Sequence, residues 1–246
     1  MKVYEGNAKE NLANTAGGVG GIAMILAAGK GERMRPLTLT TPKPLLQAGG
    51  APLIVHHIRK LRTAGFQELV INHAWLGTQI ETELGNGSSI GLAIEYSRES
   101  SPLETAGGIL QALPLLTSSD DEWFVVINGD IWCDFDLAQL TPPKHADALL
   151  VMTGNPDHNP AGDFCLRADG SVIESGPETL TFTGISLLNR RLFSELPPGA
   201  RKLAPILRGA MNRGRVQGIR HTGHWMDIGT PERLRELDRM LKEGGG

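Results

Sequence analysis

The sequence ILAAGKGERMRPLT occupies residues 25–38, and TPKP follows at 41–44. An apolar run that ends in a glycine-rich turn is typical of a buried strand leading into an anion-binding loop. Gly29 and Gly31 leave room for backbone N–H groups to approach a ligand, and glycine accepts the positive φ angles of a tight turn. Arg33 and Lys43 add positive charge close by. The stretch therefore predicts a site for a phosphate chain.

This loop matches neither of the two common phosphate-binding patterns. G-x-x-x-x-G-K-[ST] is absent, and Met34 stands where G-x-G-x-x-G requires its third glycine. Lys30 and Arg35 bring further charge, and their positions fit either phosphate contact or exposure to solvent.

The composition limits the classes of protein to which this chain can belong. The chain has 246 residues, 40% hydrophobic and 21% charged, which is ordinary for a globular protein. A formal net charge of -3 gives no basic field for a nucleic acid polymer. Cys133 and Cys165 lack C-x-x-C spacing, so we expect reduced thiols, no structural zinc and a cytoplasmic protein. No apolar run approaches the roughly 20 residues of a membrane span.

Strand-like and helix-like segments alternate along the chain, which predicts an α/β fold with a mostly parallel sheet. Pro114 is expected to end the third helix. The expected strands are 22–26, 68–72, 92–96, 123–128, 148–153, 181–188 and 216–221, with a hairpin at 164–173. The expected helices are 52–63, 77–84, 105–113, 202–212 and 231–242. We expect one domain at 22–243, preceded by a flexible or appended leader at 1–21 and followed by a glycine tail at 244–246.

Two acids follow apolar segments and are candidate metal ligands. Asp130 comes directly after the strand expected at 123–128, and ligands of open α/β sheets bind outside the carboxyl ends of strands. Asp227 precedes the last helix. Each acid has an alternative role as a local cap, although Thr230 already supplies the cap of that helix.

These segments together resemble the sugar-1-phosphate nucleotidyltransferases, whose signature reads roughly L-A-A-G-x-G-x-R-[LM]-x-P-L-T followed by P-K-P. Further family-like segments are PLETAGG at 102–108, VINGD at 126–130, TGI at 183–185 and WMDIGTP at 225–231. The resemblance implies a single-domain, Rossmann-like fold with a mixed, mostly parallel sheet flanked by helices. It also implies a nucleoside triphosphate and a sugar 1-phosphate as substrates, Mg²⁺ as cofactor, and release of pyrophosphate.

The resemblance assigns roles to individual positions. It implies that the catalytic residues are Arg33, Lys43, Asp130 and Asp227, the two acids holding the metal. The implied nucleotide-binding residues are Leu26, Ala27, Ala28, Gly29, Gly31, Asn72, Glu104, Thr105 and Ala106. The implied sugar-binding residues are Asn128, Gly162, Asp163, Glu174, Thr183, Gly184 and Lys202.

Two positions depart from the common family pattern. Many relatives carry glycine where Glu104 stands, and its carboxylate either accepts from the imide N–H of a base or lies in solvent. Many relatives also read E-K-P where this chain reads ESGP at 174–177, so another cation must contact the sugar phosphate, and Lys202 or Arg201 is the expected substitute.

Within the family, the segments 71–77, 102–105, 202–205 and 223–225 are most similar to the uridylyltransferases of bacterial cell-wall recycling, which predicts UTP as the nucleotide. The alternatives on the same scaffold are guanylyl transfer to mannose 1-phosphate and thymidylyl or uridylyl transfer to glucose 1-phosphate. A different class is a catalytically silent domain that binds nucleotide sugars as a regulator. The intact glycines, cations and acids argue against that class.

Overall fold

The computed structural model describes residues 21–117 and 122–244. Of the expected leader only Gly21 is described, and of the expected tail only Gly244, so these two assignments lie outside the described residues. The strands are β1 Ile22–Leu26, β2 Gln47–Ala48, β3 Ala51–Pro52, β4 Glu68–His73, β5 Ala93–Arg98, β6 Trp123–Asn128, β7 Ile131–Cys133, β8 Ala148–Thr153, β9 Phe164–Leu166, β10 Val172–Ile173, β11 Thr179–Asn189, β12 Val216–Arg220 and β13 Trp225–Asp227. The helices are α1 Leu53–Thr63, α2 Gly77–Leu84, α3 Glu104–Leu116, α4 Leu203–Met211 and α5 Pro231–Glu243.

Nine strands form the central sheet. Four of them, in the order β5-β4-β1-β6, are parallel to their neighbours. The long strand β11 runs antiparallel to both β6 and β8, and β12 pairs with β8 in parallel. The sheet is therefore mixed, and it is parallel in the half formed by β5, β4, β1 and β6, as the alternating pattern predicted.

The helices cover both faces of the sheet because strand residues alternate in direction. Ile25, Ile71 and Ile127 point to the face that packs against α1 and α2. Met24 and Val126 point to the opposite face, which α3 and α4 cover. Right-handed crossovers require this arrangement, since the chain moves outward from β1 to β5 and then returns to β6. None of the helices in the described ranges is long and apolar enough to cross a bilayer.

The largest difference from the expected element boundaries lies at the end of the third helix. The prediction that Pro114 ends the third helix is wrong, because α3 continues through Pro114 to Leu116. A proline removes one backbone donor from a helix interior. The last turn is kept by packing, since Leu116 is 1% exposed within the core, and Thr117 donates its backbone N–H to the Leu113 carbonyl.

A small two-stranded sheet joins the two predicted acids. β7 and β13 pair antiparallel, with Ile131 opposite Asp227. Helix α5 begins directly after β13, and the Thr230 side chain accepts from the Arg233 N–H as the predicted cap. Ile228 and Leu237 bury this corner against Met34. Neither short strand has a recognisable pattern in the sequence.

Candidate active site

A cleft of about 750 Å³ opens at the carboxyl ends of β1 and β6. The strand order reverses between these two strands, because the chain passes from β1 to one side of the sheet and returns on the other. Ligands of open α/β sheets bind at such a point. The cleft is lined by Leu26, Ala27, Ala28, Gly29, Lys30, Gly31, Glu32, Arg33, Met34, Lys43, Pro44, Asn72, Pro102, Glu104, Thr105, Asn128, Gly129, Asp130 and Gly229.

The glycine-rich turn after β1 forms one wall. Gly31 has φ +61°, a left-handed conformation that glycine adopts at low cost. The Thr38 hydroxyl donates to the Gly31 carbonyl at 2.8 Å, and a Cβ at Gly31 would lie 2.9 Å from the Thr38 methyl group. This close packing folds the loop back on itself, so that Gly29 and Arg33 both face the cleft.

Lys43 and Asp130 meet on the floor of the cleft. The Lys43 ammonium donates to Asp130 Oδ2 at 2.9 Å, and the Lys43 side chain is only 9% exposed. Pro42 and Pro44 fix the backbone on both sides of the lysine, which limits where its stem points. A buried cation at the end of a strand is suited to bind phosphate oxygens, and the carboxylate beside it is suited to bind a metal ion.

Asp227 stands beside Asp130 because β7 and β13 pair. The Ile228 backbone N–H donates to the Asp130 carbonyl at 2.8 Å. This hydrogen bond extends the pairing of β7 and β13 to the backbone of both acids. Asp227 Oδ2 lies 2.5 Å from Arg233 Nη1. His158 Nε2 lies 3.5 Å from the same oxygen, and its ring stacks on Trp225.

Gly229 brings Arg33 to the same corner. A Cβ at Gly229 would lie 2.9 Å from Asp227 Oδ2 and 3.1 Å from Arg33 Nη1. The carboxylate and the guanidinium therefore flank a position where only glycine fits without displacing them. Three of the four expected catalytic residues line the cleft, and Asp227 adjoins it through Gly229.

The donor set of this corner fits a hard divalent cation. Asp130 directly precedes β7 and Asp227 ends its partner strand β13, so both carboxylates offer oxygen ligands at this corner, and Mg²⁺ and related ions prefer oxygen. Asp130 has 40% of its side chain exposed toward the cleft. Asp130 forms an ion pair with Lys43, and Asp227 forms one with Arg233.

The opposite wall contains a strained backbone. Glu104 has φ +59° at the first position of α3 and lines the cleft. A non-glycine residue in this region costs of order 1–3 kcal/mol. The Arg201 carbonyl caps the helix, accepting from Ala106 N at 2.9 Å and Gly107 N at 3.2 Å. Ala106 is fully buried, and Thr105 lines the cleft beside Glu104.

The residues expected to bind the sugar do not all lie together. Asn128 lines the cleft, and Gly184, with φ +84°, packs directly on its side chain. Thr183 is fully buried and donates its hydroxyl to the Val151 carbonyl at 2.8 Å. Asp163 accepts from the Phe182 N–H, which ties the turn containing Gly162 to β11. Outside the lining of the cleft are Gly162, Asp163, Glu174, Thr183, Gly184 and Lys202.

The cation nearest Glu174 is one that the sequence did not suggest. Arg208 Nε lies 2.9 Å from Glu174 Oε1, and the guanidinium also stacks over the Phe164 ring. Lys202 instead precedes α4 as its exposed N-terminal flanking residue, and Arg201 serves through its backbone.

Arg233 is a second residue that the sequence analysis missed. It stands in the first turn of α5, where the helix dipole disfavours a cation. In the sequence, a cation at this unfavourable helix position was the signal that Arg233 has a specific acidic partner. Its partner is Asp227, which offsets the cost with a short ion pair.

A buried histidine lies beneath the acid corner. Burial lowers the pKa of His57 to about 4, and the nearby Lys60 and His56 act in the same direction. His57 is therefore neutral at physiological pH. Burial also raises the pKa of the Cys133 thiol on β7 to about 11, so this cysteine stays protonated.

The sequence has relatives of known activity. The model of the nucleotidyl transferase family matches residues 22–172. The N-acetylmuramate alpha-1-phosphate uridylyltransferase of Neisseria meningitidis is 52% identical over 227 residues, covering 89% of this chain and 97% of that protein. The enzyme of the same name from Caulobacter vibrioides is 32% identical, with 90% and 97% covered.

More distant relatives and solved structures agree on the scaffold. The mannose-1-phosphate guanylyltransferase of Mycobacterium tuberculosis is 31% identical, and this chain spans 61% of its length. The crystal structure of HddC from Yersinia pseudotuberculosis superposes with a TM-score of 0.73 at 21% identity, covering 90% of this chain and all of HddC. At that identity the similarity concerns the fold alone.

Proposed function

Since this chain belongs to the nucleotidyl transferase family, we propose that it transfers UMP from UTP to N-acetyl-α-muramate 1-phosphate, giving UDP-N-acetylmuramate and pyrophosphate. The observation that carries the proposal is the 52% identity to the Neisseria meningitidis uridylyltransferase across 97% of that protein. The cleft supports it, since the glycine-rich turn, Lys43 and Asp130 converge at the point where the strand order reverses.

In the proposed reaction, an oxygen of the sugar phosphate attacks the α-phosphorus of UTP. The bond between that phosphorus and the bridging oxygen to the β-phosphate breaks, and pyrophosphate leaves. A phosphate monoester is largely ionised near pH 7, so no side chain has to remove a proton. Lys43 balances charge at the reacting phosphate, and Arg33 faces the leaving pyrophosphate. Catalysis then comes from positioning and charge stabilisation.

Asp130 and Asp227 are the residues that would hold the metal, and Mg²⁺ is the proposed ion. When bound, it supplies positive charge against the phosphate oxygens. The two acids come from adjacent backbone, Asp130 just before β7 and Asp227 at the end of β13, while Arg233 and His158 orient Asp227. Lys43 pairs with Asp130 and holds its carboxylate at the lining of the cleft.

The setting of the reaction also belongs to the proposal. A route that forms UDP-N-acetylmuramate from a sugar 1-phosphate reuses cell-wall sugar, so we place the protein in peptidoglycan recycling in the cytoplasm, where UTP and reduced thiols are found.

The test is a pyrophosphate-release assay that crosses four nucleoside triphosphates with the 1-phosphates of N-acetylmuramate, N-acetylglucosamine, glucose and mannose. We expect UTP with the muramate to give the highest kcat/KM. A highest value for GTP with mannose 1-phosphate would favour guanylyl transfer instead. Absence of turnover with every pair, while nucleotide binding persists, would favour the silent regulator.

A further inference from the structure

A buried carboxylate links the two walls of the nucleotide cleft. Glu99 follows β5 directly and is 6% exposed, although it does not line the cleft. Its Oε1 accepts from Asn72 Nδ2 at 2.6 Å, and its Oε2 accepts from the Leu103 N–H at 2.9 Å. Both carboxylate oxygens are therefore used inside the protein.

The same network continues to the glycine-rich wall. Asn72 is 2% exposed, and its Oδ1 accepts from the Ala27 N–H at 2.9 Å. The path runs from Ala27 through Asn72 and Glu99 to Leu103, the residue before Glu104. It thus connects the loop after β1 with the segment that begins α3, across β4 and β5.

Helix α3 carries a glycine, Gly108, where it packs against this hydrogen-bond network. A Cβ at Gly108 would lie 2.6 Å from Glu99 Oε1 and 2.7 Å from Asn72 Nδ2. Any larger residue at this position of α3 would displace the carboxylate or the amide. A buried charge is costly unless hydrogen bonds satisfy it, so an apolar pair would have been the simpler choice for structure alone.

We propose that Glu99 is a positioning residue that sets the separation of the two walls between which the nucleotide base binds. The proposal rests on the proposed nucleotide site but not on the identity of the base or the sugar. If the walls are held by Glu99, its loss weakens nucleotide binding and leaves the affinity for the sugar phosphate unchanged.

Exchanging the amide of Asn72 and the carboxylate of Glu99 between the two positions would keep every hydrogen bond of this network. In Glu99→Gln, one amide group must face another donor, at Asn72 or at Leu103. In Asn72→Asp, two carboxylates face each other. In the double variant, the new carboxylate at position 72 accepts from Ala27 N and from the new amide at position 99, while the carbonyl of that amide accepts from Leu103 N. The number of hydrogen bonds and the total charge are then those of the natural protein.

The experiment measures the Kd of the magnesium salts of UTP and GTP by titration calorimetry, without sugar phosphate. For the nucleotide that the natural protein prefers, we expect Glu99→Gln to raise Kd roughly tenfold or more, the effect of one lost charge-assisted hydrogen bond. We expect the double variant to bind at least threefold more tightly than the two single effects added together predict, because residues in one hydrogen-bond network are coupled. Glu95→Gln, at an exposed position of β5, is the matched control and should change nothing.

Steady-state kinetics then separates positioning from general damage. The KM for the nucleotide should rise in Glu99→Gln while the KM for the sugar phosphate stays constant. An unchanged nucleotide Kd in Glu99→Gln would overturn the proposal. So would a double variant, folded by thermal melting, that binds as weakly as the sum of its single changes. A natural protein that prefers GTP would overturn the proposed base and leave this test intact with GTP.

Discussion

The Lys43 ammonium lies 2.9 Å from the Asp130 carboxylate, although 87 residues separate them in the sequence. The lysine comes from the loop between two prolines, and the acid comes from the end of β6. Their contact shows that the fold itself brings the cation and the acid of the cleft together. A charge that is already oriented loses little free energy to reorganisation when phosphate binds.

Lys43→Ala should lower kcat as well as kcat/KM, because a contact that strengthens in the transition state affects turnover when it is removed. A loss of about 10²–10³-fold is typical for one such donor. Lys30→Ala is the matched control, since Lys30 also lines the cleft but is exposed. Steady-state kinetics measures both, and unchanged kcat and KM in Lys43→Ala would contradict the proposed role.

Asp130→Asn and Asp227→Asn should each leave a folded protein with greatly reduced turnover. Each change removes one charge from the proposed metal site and keeps the shape of the side chain. Asp169→Asn, in the exposed hairpin turn, controls for the loss of a carboxylate elsewhere. EDTA should abolish activity and added Mg²⁺ should restore it. Turnover that persists through exhaustive chelation would exclude a metal requirement.

His57 should make the protein less stable in mild acid. Its pKa is about 4 in the folded state because of burial and 6.5 as the unperturbed value, so the unfolded chain binds the proton more tightly. The free energy of unfolding should therefore fall as the pH drops below about 6.5 and level off below about 4, by of order 3 kcal/mol in total. Urea unfolding at pH 7.5 and 5 measures this slope.

The matched pair for that measurement is His57→Gln and His145→Gln. His145 is exposed, so its removal should leave the pH slope as it is. His57→Gln should have a lower free energy of unfolding at pH 7.5, and this free energy should change less as the pH falls. An equal slope in the natural protein and in His57→Gln would assign the acid sensitivity to other groups.

Gly229→Ala should reduce turnover with little effect on the fold. The new methyl group would press on Asp227 Oδ2 and on the Arg33 guanidinium, and Asp227 cannot retreat without disturbing its 2.5 Å contact with Arg233. We expect kcat to fall about tenfold, since small misplacements of catalytic groups are costly. Gly154→Ala, where a Cβ meets no atom within 4 Å, should behave like the natural protein. Equal kcat for the two variants would show that the corner tolerates the shift.

The sheet could be predicted from the sequence because its strands are short apolar runs between helical patterns. β1 and β6 begin and end where the pattern placed them. The signature around Gly29 and Lys43 predicted which sheet edge carries the cleft. Pro114 misled the prediction because local propensity ignores the core packing that sustains the last turn of α3.

The contacts that complete the site could not be predicted, because they depend on pairing between distant segments. The β7–β13 ladder that brings Asp227 beside Asp130 consists of two three-residue strands without a pattern. Arg208 reaches Glu174 only after α4 has packed on the central sheet, and Arg233 reaches Asp227 only after α5 has packed beside β2 and β13. Glu99 carried no motif at all, and its burial between two hydrogen-bond donors appears only in the folded chain.

Glu104→Gly should affect the stability of the fold and the selection of the base in different ways. The backbone of this residue is strained at φ +59°, and glycine relieves that strain, so we expect a gain of up to about 1 kcal/mol in the free energy of unfolding. The carboxylate is lost at the same time. If it accepts the imide N–H of uracil, the variant should lose discrimination against CTP, whose ring nitrogen has no such hydrogen.

Leu76→Gly is the matched control, because Leu76 is the other non-glycine residue with positive φ in the described ranges, at 54°, and it does not line the cleft. It should leave the ratio of kcat/KM for UTP over CTP unchanged. That ratio should fall at least tenfold in Glu104→Gly, because a site built to bond a hydrogen rejects analogues without it strongly. An unaltered ratio would place the Glu104 side chain in solvent and leave base selection to the backbone of the loop.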